Sequence, residues 1–109
     1  MSANGHPSMP VSLLAWKPIT KGALRGFAKI RLGQAMIIHD VALLTNNGRR
    51  WANPPSKPQM DKDGNALRDG AGKIKYVPII EWTDKATADR FSEAVIAVVE
   101  RENPGATNE

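Results

Sequence analysis

The chain contains no cysteine, few aromatic residues and no long apolar run. Without cysteine it cannot form a disulfide framework, a thiolate metal site or a cysteine nucleophile. No apolar stretch approaches the roughly 20 residues that a membrane-spanning helix needs. Residues 1–10 lack the basic start and the apolar core of a signal peptide. We therefore expect a soluble, cytoplasmic protein that does not associate with a membrane.

Residues suited to catalysis or to metal binding are also scarce. The chain has two histidines, and the neighbours His39 and Asp40 in a predicted strand would point to opposite faces rather than form a dyad. The segment Asp61–Asn65 lacks the later glycine and glutamate of a calcium loop, so we interpret it as a hairpin tip. No phosphate-binding or dinucleotide-binding glycine motif is present, and we detect no internal repeat. We predict no enzyme, no metal and no cofactor.

Basic charge is concentrated in the middle of the chain. The formal net charge is +4. Residues 17–75 hold twelve of the fifteen basic side chains and four of the eleven acidic ones, whereas residues 76–109 hold three and seven. This asymmetry indicates a part that binds a polyanion and an acidic part that packs or faces solvent. The alternative is a basic surface that is only solvated.

The residue pattern predicts five strands followed by one helix. After a flexible N-terminal tail at residues 1–10, the predicted strands are Val11–Lys17, Leu24–Leu32, Met36–Leu44, Arg49–Asn53 and Ile74–Trp82. Asn47-Gly48 predicts a hairpin turn, and residues 54–73 form a long loop that is functional or mobile. The helix begins at a Thr83 cap and ends near Glu102, before a C-terminal tail at residues 103–109. The fold class is therefore α+β, with an antiparallel sheet of about five strands and one long C-terminal helix in a single domain over residues 11–102.

The predicted helix carries an apolar stripe that is wider than one sheet face should cover. Its members are Phe91, Val95, Ile96, Val98 and Val99. A sheet of this size with one covering helix also makes a thin core. We expect a homodimer that forms through the helix or through a sheet edge.

The second strand predicts the candidate binding site. Alternation places Leu24, Gly26, Ala28, Ile30 and Leu32 on one face, where the small residues leave room for a helix, and Arg25, Phe27, Lys29 and Arg31 on the other. Cations around a ring are typical of surfaces that bind single-stranded nucleic acid. The predicted nucleic-acid-binding residues are Arg25, Phe27, Lys29, Arg31, Arg49, Arg50, Trp51, Lys57, Lys73 and Lys75.

The sequence does not decide whether each aromatic residue lies in the binding site or in the core. Arg49 and Trp51 share one face of the fourth predicted strand, where they would add a cation–aromatic pair to the same surface. A core position for Trp51 is an equal alternative, because strand register is not known. A core position is also the alternative for Phe27. Trp16, Tyr76 and Trp82 are assigned to the core or to an interface.

Several short segments, in their order, resemble the SpoVG family of stage V sporulation protein G and septation regulators. The segments are Ile38-His39-Asp40-Val41, Asn47-Gly48, Pro55-Ser56-Lys57, Asp63-Gly64, Tyr76-Val77-Pro78-Ile79 and the helix residues Thr87, Arg90, Phe91, Ala94 and Val95. The resemblance covers about residues 21–101 and implies a small dimeric sheet-and-helix domain that binds nucleic acid as a regulator, without enzymatic activity. The chain departs from the family in its extra proline before Pro55 and in the acidic end of its helix. Its architecture is also similar to that of the PC4-like single-stranded-DNA-binding coactivators, without a shared motif.

The leading hypothesis is a non-enzymatic, homodimeric protein that binds DNA or RNA with weak sequence selectivity and has a regulatory role. The alternative is a protein-interaction module that acts through the C-terminal helix or an open sheet edge, without nucleic acid.

Overall fold

The computed structural model describes residues 9–109, and its architecture is α+β, as predicted. The N-terminal tail predicted over residues 1–10 lies largely outside the described residues. The elements, in chain order, are β1 Val11–Lys21, β2 Leu24–Leu32, β3 Met36–Asn46, β4 Arg49–Asn53, β5 Ser56–Pro58, β6 Tyr76–Pro78 and α1 Lys85–Glu102.

The first four strands form one antiparallel sheet in the order β1-β2-β3-β4. The bounds of β2 and β4 match the prediction. β1 continues past Pro18 to Lys21. It is an edge strand, and a proline, which has no backbone N–H to donate, is tolerated at the edge of a sheet. The predicted hairpin turn is present between β3 and β4, and both Asn47 and Gly48 have the positive φ, 52° and 76°, that such a turn requires.

The strand predicted over Ile74–Trp82 is wrong in its extent and in its sheet. Only β6 is a strand there, and it pairs with β5 in a separate two-stranded sheet. Pro58 and Pro78 end the two strands, and proline cannot donate to a longer ladder. Within residues 9–109 the main sheet therefore has four strands rather than about five.

Residues 56–78, here called the arm, contain most of the predicted long loop. They fold as two consecutive tight turns, residues 61–65 and 69–73, that share one hydrogen-bond pattern. In each turn the leading aspartate side chain accepts the backbone N–H groups two and four residues later. The glycine at the fourth position has a φ of 84° in the first turn and 83° in the second. The arm therefore uses the same local turn twice.

A ring of backbone hydrogen bonds ties the arm together. The N–H of Gln59 donates to the carbonyl of Lys75 at 2.8 Å, that of Lys75 to Leu67 at 2.9 Å, and that of Leu67 to Gln59 at 2.8 Å. The three segments of the arm thus hold one another in place. The hairpin-tip interpretation of Asp61–Asn65 is confirmed, since the Asp61 carboxylate is engaged by the turn itself.

Helix α1 covers one face of the four-stranded sheet, here called the inner face. Phe91, Val95, Val98 and Val99 are buried, and Ile96 is partly buried against the same core. Their sheet partners in the core are Ala28, Ile30, Ile38, Val41, Leu43 and Ala52. The chain's own sheet therefore covers the predicted stripe, and dimerisation through the helix stays a prediction that this packing does not support.

The helix also protects the edge strand β4. The Ala52 N–H donates to Ser92 Oγ at 3.0 Å, and the Ser92 hydroxyl donates to the Ala52 carbonyl at 3.1 Å. One serine thus satisfies both backbone groups of a buried edge residue, which removes a site for pairing with another strand.

The helix begins one residue later than predicted. Its cap is Asp84, not Thr83, and the Asp84 side chain accepts the Thr87 N–H at 2.7 Å. This hydrogen bond holds the pKa of the Asp84 carboxyl below its ordinary value of 3.8. An aspartate cap also places negative charge at the positive end of the helix dipole.

The C-terminal tail, residues 103–109, packs on the domain. Thr107 is 1% exposed, and its carbonyl accepts the Thr45 hydroxyl at 2.7 Å. Glu100 accepts both the backbone N–H and the hydroxyl of Thr107, which lowers the pKa of the Glu100 carboxyl below 4.5. The Glu109 side chain accepts the two backbone N–H groups of the β3–β4 turn at 3.0 and 2.6 Å.

Candidate nucleic-acid interface

The sheet face away from the helix, here called the outer face, is shaped by bulges around Lys29. On β1 the register shift leaves Leu14 as an extra residue. On β3, His39 and Asp40 together oppose Lys29, and Asp40 has a φ of 55°, a conformation that aspartate tolerates better than most residues. Bulges re-aim side chains. His39 and Asp40 accordingly line the same groove, and the prediction that they point to opposite faces is wrong.

A groove of about 850 Å³ lies between the outer face and the base of the arm. The sheet contributes Lys17, Phe27 and Lys29, and the arm contributes Ser56 and Tyr76. This volume is within the range of about 300–1,000 Å³ that holds small organic ligands. The groove therefore places two cations and two aromatic rings around one concave surface.

The alternation predicted for β2 holds from Phe27 to Arg31. Phe27 and Lys29 line the groove, whereas Ala28 and Ile30, which alternate with them along the strand, are buried in the core. Phe27 is thus half-buried on the outer face and is not a core residue. Arg31 is exposed two residues beyond Lys29 and extends the positive charge of this face along the strand.

The predicted cation–aromatic pair of β4 is present. The Arg49 guanidinium carbon lies 5.5 Å from the centroid of the Trp51 ring, within the range of a cation–π contact. Trp51 is the cross-strand partner of Leu44, and Leu44 lines the groove. Since cross-strand partners share a face, Trp51 lies on the outer face and not in the core.

Arg25 does not join these residues. A register shift leaves it without a partner residue on β3, and its Nη1 donates to the Leu24 carbonyl at 3.2 Å. Its Nε is buried and has no hydrogen-bond partner among residues 9–109. The same bulge pairs Leu24 with the groove residue Leu44, so the placement of Leu24 on the inner face is also wrong. A single extra residue here breaks the alternation on which both predictions depended.

Arg50 lies on the opposite side of the sheet from Arg49 and Trp51. Its cross-strand partner is Thr45, which is buried on the helix side. Its charge also contributes to lowering the pKa of Glu100 on the helix, after the hydrogen bonds already described. Arg50 therefore does not belong to the outer-face site.

The arm lysines of the predicted site are exposed but lie outside the groove lining. Lys57 pairs with Val77, the residue after Tyr76, so it faces the other side of the two-stranded sheet. Lys73 belongs to the second turn, where its backbone N–H is the main cause that lowers the pKa of Asp69, with weaker contributions from the charges of Lys73 and Lys75. These lysines are therefore not part of the outer-face groove.

Most of the groove lining was not predicted as part of the site, including Lys17, His39, Asp40 and Tyr76. Simple alternation from Val11 and Leu13 would place Lys17 on the inner face. The extra residue Leu14 reverses the alternation, so Lys17 pairs with Phe27 on the outer face. Tyr76 was assigned to the core or an interface, yet it is 61% exposed. Trp16 and Trp82 do pack against the core, and the Trp82 ring contacts Phe91 at a centroid distance of 5.0 Å.

Within the described part of the chain, no cluster of three or more histidine, aspartate or glutamate side chains could hold a metal ion. The helix of residues 9–109 is not long and apolar enough to cross a membrane.

No protein-family model matches the chain, and no curated protein matches it significantly. The resemblance to the SpoVG family and the architectural similarity to PC4-like coactivators therefore stay predictions. The functional argument depends on the groove and its charges.

Proposed function

We propose that the chain is a non-enzymatic nucleic-acid-binding protein that uses the outer face of its four-stranded sheet. The observation that carries the proposal is the groove, where Lys17 and Lys29 stand beside the rings of Phe27 and Tyr76. Cations hold the phosphates of a nucleic acid, and aromatic rings stack on its bases. The helix leaves this face uncovered, so a ligand has access to it.

The charges outside the groove also favour binding of a polyanion to the outer face. Arg31 and the Arg49–Trp51 pair extend the site along the sheet. On the other side of the sheet, α1 carries four acidic and three basic side chains, so its net charge is −1. A polyanion is therefore attracted more strongly to the outer face than to the helix.

This binding mode is based on phosphate contacts and stacking, so its sequence selectivity is weak. The proposal includes a homodimer, a regulatory role and a cytoplasmic location. It assigns no catalytic step to any residue.

One observation favours a second candidate, a protein-interaction module. Leu14, Met36 and Ile37 are 40%, 50% and 49% exposed and lie near the same end of the sheet, with Met36 and Ile37 on opposite faces of β3. Exposed apolar side chains of this kind can contact a partner protein.

Fluorescence anisotropy with labelled DNA and RNA, at several salt concentrations, tests the proposed function. The variant Lys29→Ala/Arg31→Ala removes two outer-face charges, and the control Arg90→Ala/Arg101→Ala removes two charges from exposed positions on the helix. On a single strand, the slope of log K against log salt should become less steep by about 0.7 for each lost phosphate contact. The control should retain both the affinity and the slope.

Equal binding by both double variants would contradict the outer-face site. Absence of binding at low salt, for wild type as well, would contradict nucleic-acid binding altogether and direct attention to the exposed apolar residues Leu14, Met36 and Ile37.

A further inference from the structure

The two aromatic rings of the groove come from different parts of the fold. Phe27 belongs to the central part of the sheet, and Tyr76 belongs to the arm. Tyr76 leaves 61% of its surface in solvent. Its position is fixed by the pairing of β5 with β6, in which Tyr76 is the partner of Pro58. The arm thus presents an accessible ring at a defined place in the groove wall.

The charges of the lining fit a strand whose phosphates and bases are both accessible. Lys17 and Lys29 offer two positive charges, and Asp40 is the acidic side chain of the lining. A phosphate is favoured beside the lysines and disfavoured beside Asp40. The carboxylate can instead accept hydrogen bonds from amino groups on base edges.

Stacking requires that the face of a base be free. In a duplex the base faces are covered by neighbouring bases, and an enzyme that needs one must first take it out of the stack. A ring in the wall of a groove therefore reaches the face of a base only when the strand is single or locally open. Phosphate-binding cations without rings would serve a duplex equally well, so the rings distinguish the two ligands.

We propose that the ligand of the groove is a single-stranded nucleic acid and that Tyr76 stacks on one of its bases, as Phe27 does from the sheet. This inference depends on the proposed function and narrows its ligand class. It also gives the arm a role, since the arm carries Tyr76 into the site.

The test compares the variants Tyr76→Ala, Tyr76→Leu and Tyr76→Phe in anisotropy titrations with labelled oligo(dT), oligo(U) and a DNA duplex. Tyr76→Ala should weaken binding to the single strands about 5- to 150-fold, the loss of one stacked base. Tyr76→Leu keeps apolar bulk but lacks a ring, so it should behave like Tyr76→Ala, whereas Tyr76→Phe should bind like wild type. Comparison of the two oligonucleotides determines whether DNA or RNA is preferred.

The salt dependence separates stacking from charge. The ring makes no phosphate contact, so the slope of log K against log salt should be the same for wild type and Tyr76→Ala, in contrast to Lys29→Ala/Arg31→Ala. Because Tyr76 is exposed, its variants should unfold at the wild-type temperature, which thermal melting checks.

Two results would overturn the inference and leave the proposed function intact. One is a duplex affinity equal to or higher than the single-strand affinity, with both weakened by Lys29→Ala/Arg31→Ala. The other is wild-type single-strand affinity in Tyr76→Ala while the lysine and arginine variant has lost it. If no nucleic acid binds to the wild-type protein, both the inference and the proposed function are wrong.

Discussion

The inner and outer faces of one four-stranded sheet differ in almost every physical respect, although the same strands build both. On β2, Ala28 and Ile30 are buried under the helix, while Phe27 and Lys29 line an open groove. The inner face is stabilised by removal of apolar surface from water. The outer face retains solvent access, cations and rings, which contribute little to stability. Mutations on the two faces should therefore separate stability from binding.

Two phenylalanines give the largest expected effect. Phe91 is 0% exposed at the centre of the inner-face core, so Phe91→Ala should lower the free energy of unfolding by about 3–5 kcal/mol. Phe27→Ala, on the outer face, should cost much less stability and instead weaken nucleic-acid binding. Urea unfolding followed by tryptophan fluorescence measures the first effect, and anisotropy the second. Equal losses of stability would abolish the distinction between the faces.

Gly26 tests how closely the inner face is packed. A Cβ at this position would lie 2.6 Å from the Trp16 ring and 2.5 Å from the Lys17 carbonyl oxygen. Gly26→Ala should therefore destabilise the chain by about 1–3 kcal/mol through overpacking. Gly70→Ala is the matched control, because a Cβ there meets nothing within 4 Å. A neutral Gly26→Ala in urea unfolding would show that Trp16 and the β1 backbone move aside freely.

Ser92 tests the contact between the helix and the edge strand. Ser92→Ala leaves the N–H and carbonyl of Ala52 without their partner. The expected loss is about 1–3 kcal/mol in the free energy of unfolding, toward the lower end because the bonds are only partly buried. Ser12→Ala, at an exposed position on β1, should be neutral in the same measurement. Faster amide hydrogen exchange at Ala52 would locate the effect, and unchanged exchange would contradict it.

Asp40 tests the charge of the outer face. Asp40→Asn removes the negative charge from the groove, and asparagine tolerates the positive φ of this position. Nucleic-acid affinity at low salt should rise up to about fivefold, the effect of about 1 kcal/mol between charges in contact with water. Glu93→Gln makes the same charge change on the helix and should leave affinity unchanged. A weaker complex for Asp40→Asn would instead show that the carboxylate binds a base edge.

Acid should weaken the contact between helix α1 and the C-terminal tail, because it protonates the Glu100 carboxylate that accepts the hydrogen bonds of Thr107. Its pKa is lower in the folded chain than its ordinary value of 4.5, because Thr107 and Gly105 donate hydrogen bonds to the carboxylate. The corresponding stabilisation is complete above about pH 4.5 and is lost as the pH falls through the depressed folded-state pKa. Thermal melting from about pH 6 to about pH 3 should show a smaller loss of stability for Glu100→Gln than for wild type. The same pH dependence in both proteins would mean that Glu100 does not stabilise the tail.

Local patterns predicted much of the fold and part of the site. The alternation of Phe27, Lys29 and Arg31 placed these residues correctly, because it depends only on the period of a strand. The Asn-Gly turn was predictable for a similarly local reason, since its residues tolerate positive φ. The two similar turns of the arm could also have been predicted, from the aspartates at 61 and 69 and the glycines at 64 and 72.

Other parts of the site depended on long-range packing that no local pattern contains. The predictions for Arg25, His39 and Asp40 were wrong because β-bulges interrupt the alternation. A bulge forms where one strand has an extra residue relative to its neighbour. Arg50 was grouped with Arg49, although successive strand residues face opposite sides. Tyr76 could not be placed in the groove from the sequence, because its strand β6 pairs with β5. The residues of β5 had been predicted to form part of a loop.

The sequence by itself determined the α+β class, the basic middle and acidic end, and the two faces of β2 from Phe27 to Arg31, because composition and strand periodicity act over short distances. Only the tertiary structure decided that the sheet has four strands, that the helix stripe is covered by its own chain, and that the arm carries Tyr76 to the groove. These features depend on which distant segments pair. That choice is made by the combined burial, backbone hydrogen bonding and chain geometry of the whole domain, and not by any one segment.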